Sequence, residues 1–97
     1  MRLKKEDIKS IKRITKECFG ENSKIYLFGS RVDDNKKGGD IDLYIETDMK
    51  VNIFEKKIKM IGMLHNILGE QKIDIVINNF TSKKYIYQVA HREGIAL

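Results

Sequence analysis

Paired aspartates are the residues of this sequence whose types and spacing most clearly suggest chemistry. Asp40 and Asp42 lie two positions apart in the segment DIDLYIE, whose alternation of polar and apolar residues is typical of a half-buried β-strand. Both carboxylates therefore project from the same face of that strand, with only Ile41 between them. Two carboxylates this close repel each other unless a hard divalent cation lies between them, and carboxylate oxygens are the ligands that Mg²⁺ prefers. We interpret the pair as a candidate metal site.

Asp74 is a third carboxylate in a strand-like segment. In IDIVI the three isoleucines share one face, and Asp74 takes the opposite face. Two interpretations are open for Asp74 alone: it completes the aspartate cluster from a second strand, or it lies at a sheet edge and faces water. Its combination with Asp40 and Asp42 favours the first interpretation.

Gly29 and Ser30 form a turn directly after the strand-like run KIYLF. A glycine here lets a ligand approach the backbone, free amide groups can point at a phosphate, and the Ser30 hydroxyl could add a donor. Gly-Ser is also ordinary turn chemistry, so the dipeptide alone decides nothing. Its context is more informative, because Arg31, a polar loop and the paired aspartates follow, and a metal-bound triphosphate would need such parts close together. Arg31 either contacts the triphosphate or pairs with Asp33 or Asp34 at the surface.

Apolar periodicity predicts the elements that must position these residues. Three stretches have helical spacing and end at a glycine: 4–19, 51–68 and a shorter one that ends at Gly94. Thr81 or Ser82 could cap the last of these helices. Four stretches have strand character: 24–28, 40–46, 73–77 and an edge strand at 95–97.

This order of elements predicts an α/β (α+β) domain, with a small mixed β-sheet of three to four strands and helices packed mainly on one face. In the second strand, Ile41, Leu43 and Ile45 should face the core. The opposite face, which carries Tyr44 and Glu46, should be wet.

Length and composition bound the remaining possibilities. The 97 residues have a net charge of 19 − 14 = +5, with no apolar run long enough to cross a membrane and no signal-peptide pattern. We expect a single cytoplasmic domain over 1–97, too small to include a separate substrate-binding domain. The lysines are dispersed, which favours a solvated surface over a nucleic-acid site. Cys18 should be a small core residue, and no Cys/His spacing resembles a zinc site.

Other polar and aromatic residues have weaker interpretations. His65 lies on the apolar stripe of the second long helix, so we expect a partly buried packing residue rather than a catalyst. Lys36 and Lys37 in the polar loop are either solvated or attract a triphosphate electrostatically. Tyr85 and Tyr87 are candidate partner contacts, although Tyr85 could equally border the core.

The combination of Gly29-Ser30, an intervening loop and the Asp40-x-Asp42 strand resembles the signature of the nucleotidyltransferase superfamily related to DNA polymerase β. The third carboxylate of that superfamily lies on a later strand, where Asp74 matches it. The shortness of the chain, the GSR turn and the closing REGIAL segment look like the minimal nucleotidyltransferases, which are often paired with a HEPN-type partner. The resemblance covers essentially the whole chain.

This resemblance implies a role for each site residue. Gly29 and Ser30 would bind the β- and γ-phosphates of ATP, with Arg31 as a further nucleotide contact. The catalytic aspartates Asp40, Asp42 and Asp74 would also be the metal ligands. The first two would coordinate two Mg²⁺ ions, and Asp74 would help to bind metal and activate the acceptor hydroxyl.

The function implied is a metal-dependent nucleotidyltransferase that moves AMP from ATP to a protein hydroxyl. The acceptor expected from the resemblance is a tyrosine of a cognate HEPN toxin, so the chain would act as an antitoxin. The alternative is a non-catalytic antitoxin that neutralises its partner by binding and occlusion. A basic module that contacts RNA is a third interpretation, but it rests on charge alone and lacks the aromatic residues interleaved with basic ones that are expected of a single-strand binder.

Overall fold

A computed structural model of the chain describes residues 3–28, 41–69 and 71–97. Four predicted site residues, Gly29, Ser30, Arg31 and Asp40, lie outside this described part. The described residues form three helices and four strands. In chain order these are α1 (Lys5–Phe19), β1 (Lys24–Phe28), β2 (Ile41–Glu46), α2 (Ile53–Leu68), β3 (Ile73–Asn78), α3 (Tyr85–Glu93) and β4 (Ile95–Ala96).

The four strands form one mixed sheet in the order β3-β2-β1-β4. β1 runs antiparallel to both β2 and β4, whereas β2 and β3 are parallel. A parallel pair needs a long crossover connection, and α2 provides it. The predicted α+β fold with a small mixed sheet is confirmed, and so is the edge strand near the end of the chain.

The two longer helices pack on one face of the sheet and enclose the core. Burial of alternate strand residues on this face removes apolar surface from water, which is the main stabilising contribution to such a domain. Cys18 is 3% exposed, so its prediction as a core residue is confirmed. The buried cluster consists of Ile11, Ile14, Cys18, Phe19, Ile25, Leu27, Ile41, Leu43, Ile45, Met60, Leu64, Ile73 and Ile75.

The third helix packs on the opposite face of the sheet, through aromatic rings. The ring of Tyr87 lies 6.1 Å from that of Tyr44, and the ring of His91 lies 5.2 Å from that of Tyr26. Tyr44 is consequently only 1% exposed. The expectation that this face is wet is wrong at Tyr44, because α3 covers it.

Two further expectations are corrected by the structure. α3 begins at Tyr85 after Lys84, without a side-chain cap, so Thr81 and Ser82 do not cap it. The Thr81 hydroxyl instead donates to Asn79 Oδ1 at 2.7 Å. His65 is exposed rather than partly buried, because its Nε2 lies 2.9 Å from the Gln71 carbonyl oxygen at the surface.

None of the helices in the described ranges combines the length and the apolarity that crossing a bilayer would require.

Candidate active site

Asp42 and Asp74 lie side by side on neighbouring strands. They are register partners in the parallel pair of β2 and β3. Partners in a parallel ladder project from the same face of the sheet, and neighbouring strands are about 4.8 Å apart. The structure therefore brings two of the three predicted carboxylates together.

The burial of apolar residues on the other face of the sheet determines the register of β2 and β3. Leu43 and Ile75, the next partners along the ladder, are 0% and 3% exposed in the core. A shift of either strand by one residue would move its apolar residues out of the core and its aspartate into it. The isoleucine and leucine residues on the core face thus keep the two aspartates on the opposite face.

Asp40 and Gly29-Ser30 belong to residues 29–40, and the described residues on either side of that stretch lie beside Asp42. Phe28, the last residue of β1, is the register partner of Asp42 in the antiparallel pair. The chain re-enters the sheet at Ile41, directly before Asp42. Residues 29–40, which include the predicted phosphate-binding turn and Asp40, connect these two positions and lie outside the described ranges.

Asp74 lies on an edge strand and is accessible. Its Oδ2 is 3.9 Å from Lys72 Nζ, and the two side chains are 51% and 69% exposed. Exposed pairs of this kind contribute little to stability, so this contact leaves the carboxylate available to a cation at small cost. Asp74 therefore both lies on an edge strand and belongs to the aspartate pair.

A hydrogen-bonded group continues along the same face of the sheet. The Tyr44 hydroxyl donates to Glu46 Oε2 at 2.8 Å and accepts from Asn78 Nδ2 at 3.1 Å. Asn78 Oδ1 in turn accepts from the Phe80 backbone N–H at 2.9 Å. Both polar ends of the Asn78 amide are therefore used, which fixes the position of the Tyr44 hydroxyl.

Burial raises the pKa of two tyrosines on this face. It raises the pKa of Tyr44 to about 12, with the Asn78 hydrogen bond opposing the shift and Glu46 adding to it. Burial also raises the pKa of Tyr26, and the charge of Glu46 contributes there as well. The pKa of each hydroxyl therefore lies above that of an ordinary tyrosine, chiefly because of burial.

A cavity of about 360 Å³ opens above this hydrogen-bonded group. Aromatic rings and hydrogen-bonding groups line it, on the face of the sheet that carries Asp42. Sequence reasoning did not single out Tyr44, Glu46 and Asn78, although strand alternation does place the first two on the Asp42 face. The lining residues are Tyr44, Glu46, Asn78, Tyr87, Gln88 and His91.

The donor set of the site is of the kind that suits Mg²⁺. Asp42 and Asp74 offer carboxylate oxygens from adjacent positions on one face, and hard divalent cations prefer such ligands. Within residues 3–28, 41–69 and 71–97, no three His, Cys, Asp or Glu side chains come together as a metal-binding group. The pair alone is an incomplete ligand set, and the predicted ligand Asp40 lies outside the described ranges.

Comparison with known proteins identifies the family of the chain. The family model described as polymerase beta, nucleotidyltransferase matches residues 9–97, which include β1, Gly29-Ser30 and all three aspartates. No curated protein matches the chain. A nucleotidyltransferase of this type takes a nucleoside triphosphate, in agreement with the paired carboxylates of β2 and β3. The chain belongs to the polymerase beta nucleotidyltransferase family.

Proposed function

We propose that the chain transfers AMP from ATP to a hydroxyl group of a partner protein. The acceptor oxygen attacks the α-phosphorus, the bond from that phosphorus to the bridging oxygen of the β-phosphate breaks, and pyrophosphate leaves. The hydroxyl proton passes to the carboxylate of Asp74, the residue to which this proposal gives the activating role. The observation that carries this proposal is the register pairing of Asp42 with Asp74 on one accessible face of the sheet.

The residues have separate roles in this proposal. Asp40 and Asp42 would hold Mg²⁺, and Asp74 would contribute a further ligand and activate the acceptor hydroxyl. Gly29 and Ser30 bind the β- and γ-phosphates through backbone amides and a hydroxyl, with Arg31 beside them. When bound, Mg²⁺ lowers the pKa of an attacking hydroxyl and neutralises charge on the leaving pyrophosphate.

The acceptor in this proposal is a tyrosine of a HEPN-family toxin, and the chain is its antitoxin. The resemblance to minimal nucleotidyltransferases supports this assignment. Exposed apolar side chains support the need for a partner, since Phe54 and Tyr85 are 70% and 75% exposed. Isolated apolar side chains are common on surfaces, so the identity of the partner rests on the family resemblance.

The test is transfer of label from α-labelled ATP in the presence of Mg²⁺, with and without the co-purified partner. We expect label on the partner, and a decrease of at least about 100-fold in the Asp42→Asn and Asp74→Asn variants. Asp48→Asn is the matched control, because Asp48 is an exposed aspartate beyond the end of β2. Transfer equal to wild type in Asp42→Asn would refute the catalytic role of the pair.

The same variants separate catalysis from occlusion. If neutralisation of the partner requires catalysis, Asp42→Asn binds the partner and fails to protect against it. Full protection by Asp42→Asn, in a stable complex that never acquires label, would replace our proposal with a non-catalytic antitoxin that acts by occlusion.

A further inference from the structure

A groove of about 420 Å³ runs along the outer edge of β3. Three successive residues of the strand, Ile75, Val76 and Ile77, line it. Neighbouring side chains of a strand point to opposite faces, so a groove confined to one face would be lined by alternate residues. This groove therefore opens on the edge of the strand, where its backbone is accessible.

The two helices form the walls of this groove, one on each face of the sheet. α2 contributes Phe54 and Lys57, and α3 contributes Ile86 together with Lys84 directly before it. Phe54 is 70% exposed and Ile86 is 41% exposed, so each wall presents an apolar side chain to solvent. Each wall also presents a lysine. The two walls have the same composition, an apolar group beside a positive charge.

β3 has an unused hydrogen-bonding edge at the floor of the groove. In the described part of the chain β3 pairs with β2 alone and ends the sheet. The N–H and C=O groups that point away from β2 can pair with an added strand, as in complexes formed by β-strand addition. An extended peptide in this position would alternate its side chains between the α2 wall and the α3 wall.

The positive charge of the groove favours an occupant with acidic side chains. Lys57 and Lys84 line it, and Lys83 and Lys84 line the neighbouring cavity of about 480 Å³ beside Phe80. No Asp or Glu is among the described residues that line either cavity. An occupant whose apolar side chains contact Phe54 and Ile86 needs acidic side chains to meet the lysines.

We propose that the edge of β3 is a docking site for an extended acidic–apolar segment of a partner protein. The segment adds a fifth strand beside β3 and fits between α2 and α3. A second copy of this chain is a poorer occupant, because the chain has a net charge of +5 and two copies would bring lysines against lysines. The proposal does not rest on nucleotide transfer and can succeed or fail independently of it.

A synthetic peptide provides the direct test. The probe is a fluorescein-labelled nonapeptide that repeats Val-Val-Glu-Glu, so that each face of the extended strand carries both apolar and acidic side chains. Its matched control has lysine in place of every glutamate. We expect saturable fluorescence anisotropy with the acidic peptide and at least tenfold weaker binding of the basic one. Backbone amides of Ile75–Ile77 should exchange more slowly with solvent when the acidic peptide is bound, which a purely electrostatic contact would not produce.

Substitutions in the walls test the position of the peptide. Phe54→Ala and the double variant Lys57→Glu, Lys84→Glu should each weaken binding about tenfold or more. Ile67→Ala and Lys59→Glu are the matched controls on α2, because these residues do not line the groove, and binding should stay within about twofold of wild type. Circular dichroism verifies that all variants are folded.

Three results would overturn the proposal. One is equal affinity for both peptides, and another is an unchanged affinity in Phe54→Ala and in the double lysine variant. The third is a wild-type dimer in sedimentation that Phe54→Ala dissociates, because it would assign the groove to a second copy of the chain.

Discussion

Asp42 and Asp74 are register partners on parallel strands, although α2 separates them in the chain. The parallel orientation of β2 and β3 depends on the crossover through α2, and the register depends on the apolar residues of the core face. The acidic face is thus a consequence of packing on the opposite side of the sheet. Buried residues on the other face of the sheet determine where the two carboxylates lie.

Mg²⁺ should stabilise the folded chain through this aspartate pair. A ligand that binds only the folded state, present at about ten times its Kd, adds about 1.4 kcal/mol to the free energy of unfolding. For a domain of this size we expect MgCl₂ to raise Tm by several degrees relative to EDTA. Differential scanning fluorimetry measures this shift.

The response to Mg²⁺ should disappear in Asp42→Asn and persist in Asp48→Asn. Asp48 is exposed and lies after β2, so it controls for the loss of one negative charge. A Tm shift in Asp42→Asn equal to that of wild type would contradict a metal site at the pair.

Tyr44 should make stability fall at alkaline pH. Its pKa is raised from 10 to about 12 in the folded chain, chiefly by burial. Because the folded pKa lies above the unfolded one, the stabilisation is complete below about pH 10 and is lost as pH rises toward about 12. The full effect is at most about 2–3 kcal/mol, from the two-unit difference in pKa.

The measurement is urea unfolding of wild type and Tyr44→Phe at about pH 8 and about pH 11. At the lower pH the variant should be less stable by about 1–3 kcal/mol, since Asn78 Nδ2 loses its partner. At the higher pH the difference should shrink. Tyr85→Phe, at a tyrosine that is 75% exposed, should show neither effect. A difference between wild type and Tyr44→Phe that is independent of pH would show that Tyr44 does not titrate in this range.

Local patterns in the sequence predict most of the elements. β1 occupies 24–28 as predicted, because KIYLF alternates and is followed by glycine. The start of α3 was not predictable from local preference, since Thr81 uses its hydroxyl on Asn79 and leaves the helix to begin at Tyr85. A capping residue can be recognised by type, but its competing hydrogen bonds depend on the fold.

The candidate site is predictable only in part, for a similar reason. Strand alternation indicates which face carries Asp42 and which carries Asp74, but no local pattern indicates that the two residues are partners in register. That pairing depends on contacts between distant parts of the chain. The alternation of β2 alone predicts that Tyr44 is exposed to solvent. It is buried because α3 packs over it, and the pattern of β2 gives no information about that packing.

Thr47 should stabilise the connection between α1 and β2. Its buried hydroxyl donates to the Phe19 carbonyl oxygen at 2.8 Å and accepts from the Met49 N–H at 3.2 Å. Thr47→Val keeps the shape and leaves both backbone groups without this partner, so we expect a loss of about 1–3 kcal/mol. Thermal unfolding should show a decrease in Tm of several degrees, whereas Thr81→Val, at an exposed residue, should change Tm little. An unchanged Tm in Thr47→Val would mean that water replaces the hydroxyl at this position.

Gly94 and Gly62 should respond to alanine in opposite directions. A Cβ at Gly94 would collide with the Ala90 carbonyl oxygen and lie 3.1 Å from Tyr26 Cβ, between α3 and the β1–β4 pair. Backbone must shift to admit it, so Gly94→Ala should cost about 1–3 kcal/mol. Gly62 is exposed inside α2, and a Cβ there meets nothing within 4 Å among the described residues.

Gly62→Ala should therefore stabilise the chain by roughly 0.5–1 kcal/mol, through the smaller entropy loss of alanine in a helix. Urea unfolding of both variants beside wild type measures the two free-energy changes, and an unchanged m-value shows that the extent of unfolding is the same. The pair is informative because both variants add one methyl group. A general effect of added apolar surface would therefore change the free energy of unfolding in the same direction for both. Destabilisation only by Gly94→Ala would identify the turn between α3 and β4 as closely packed against β1. A stabilising Gly94→Ala would contradict that packing.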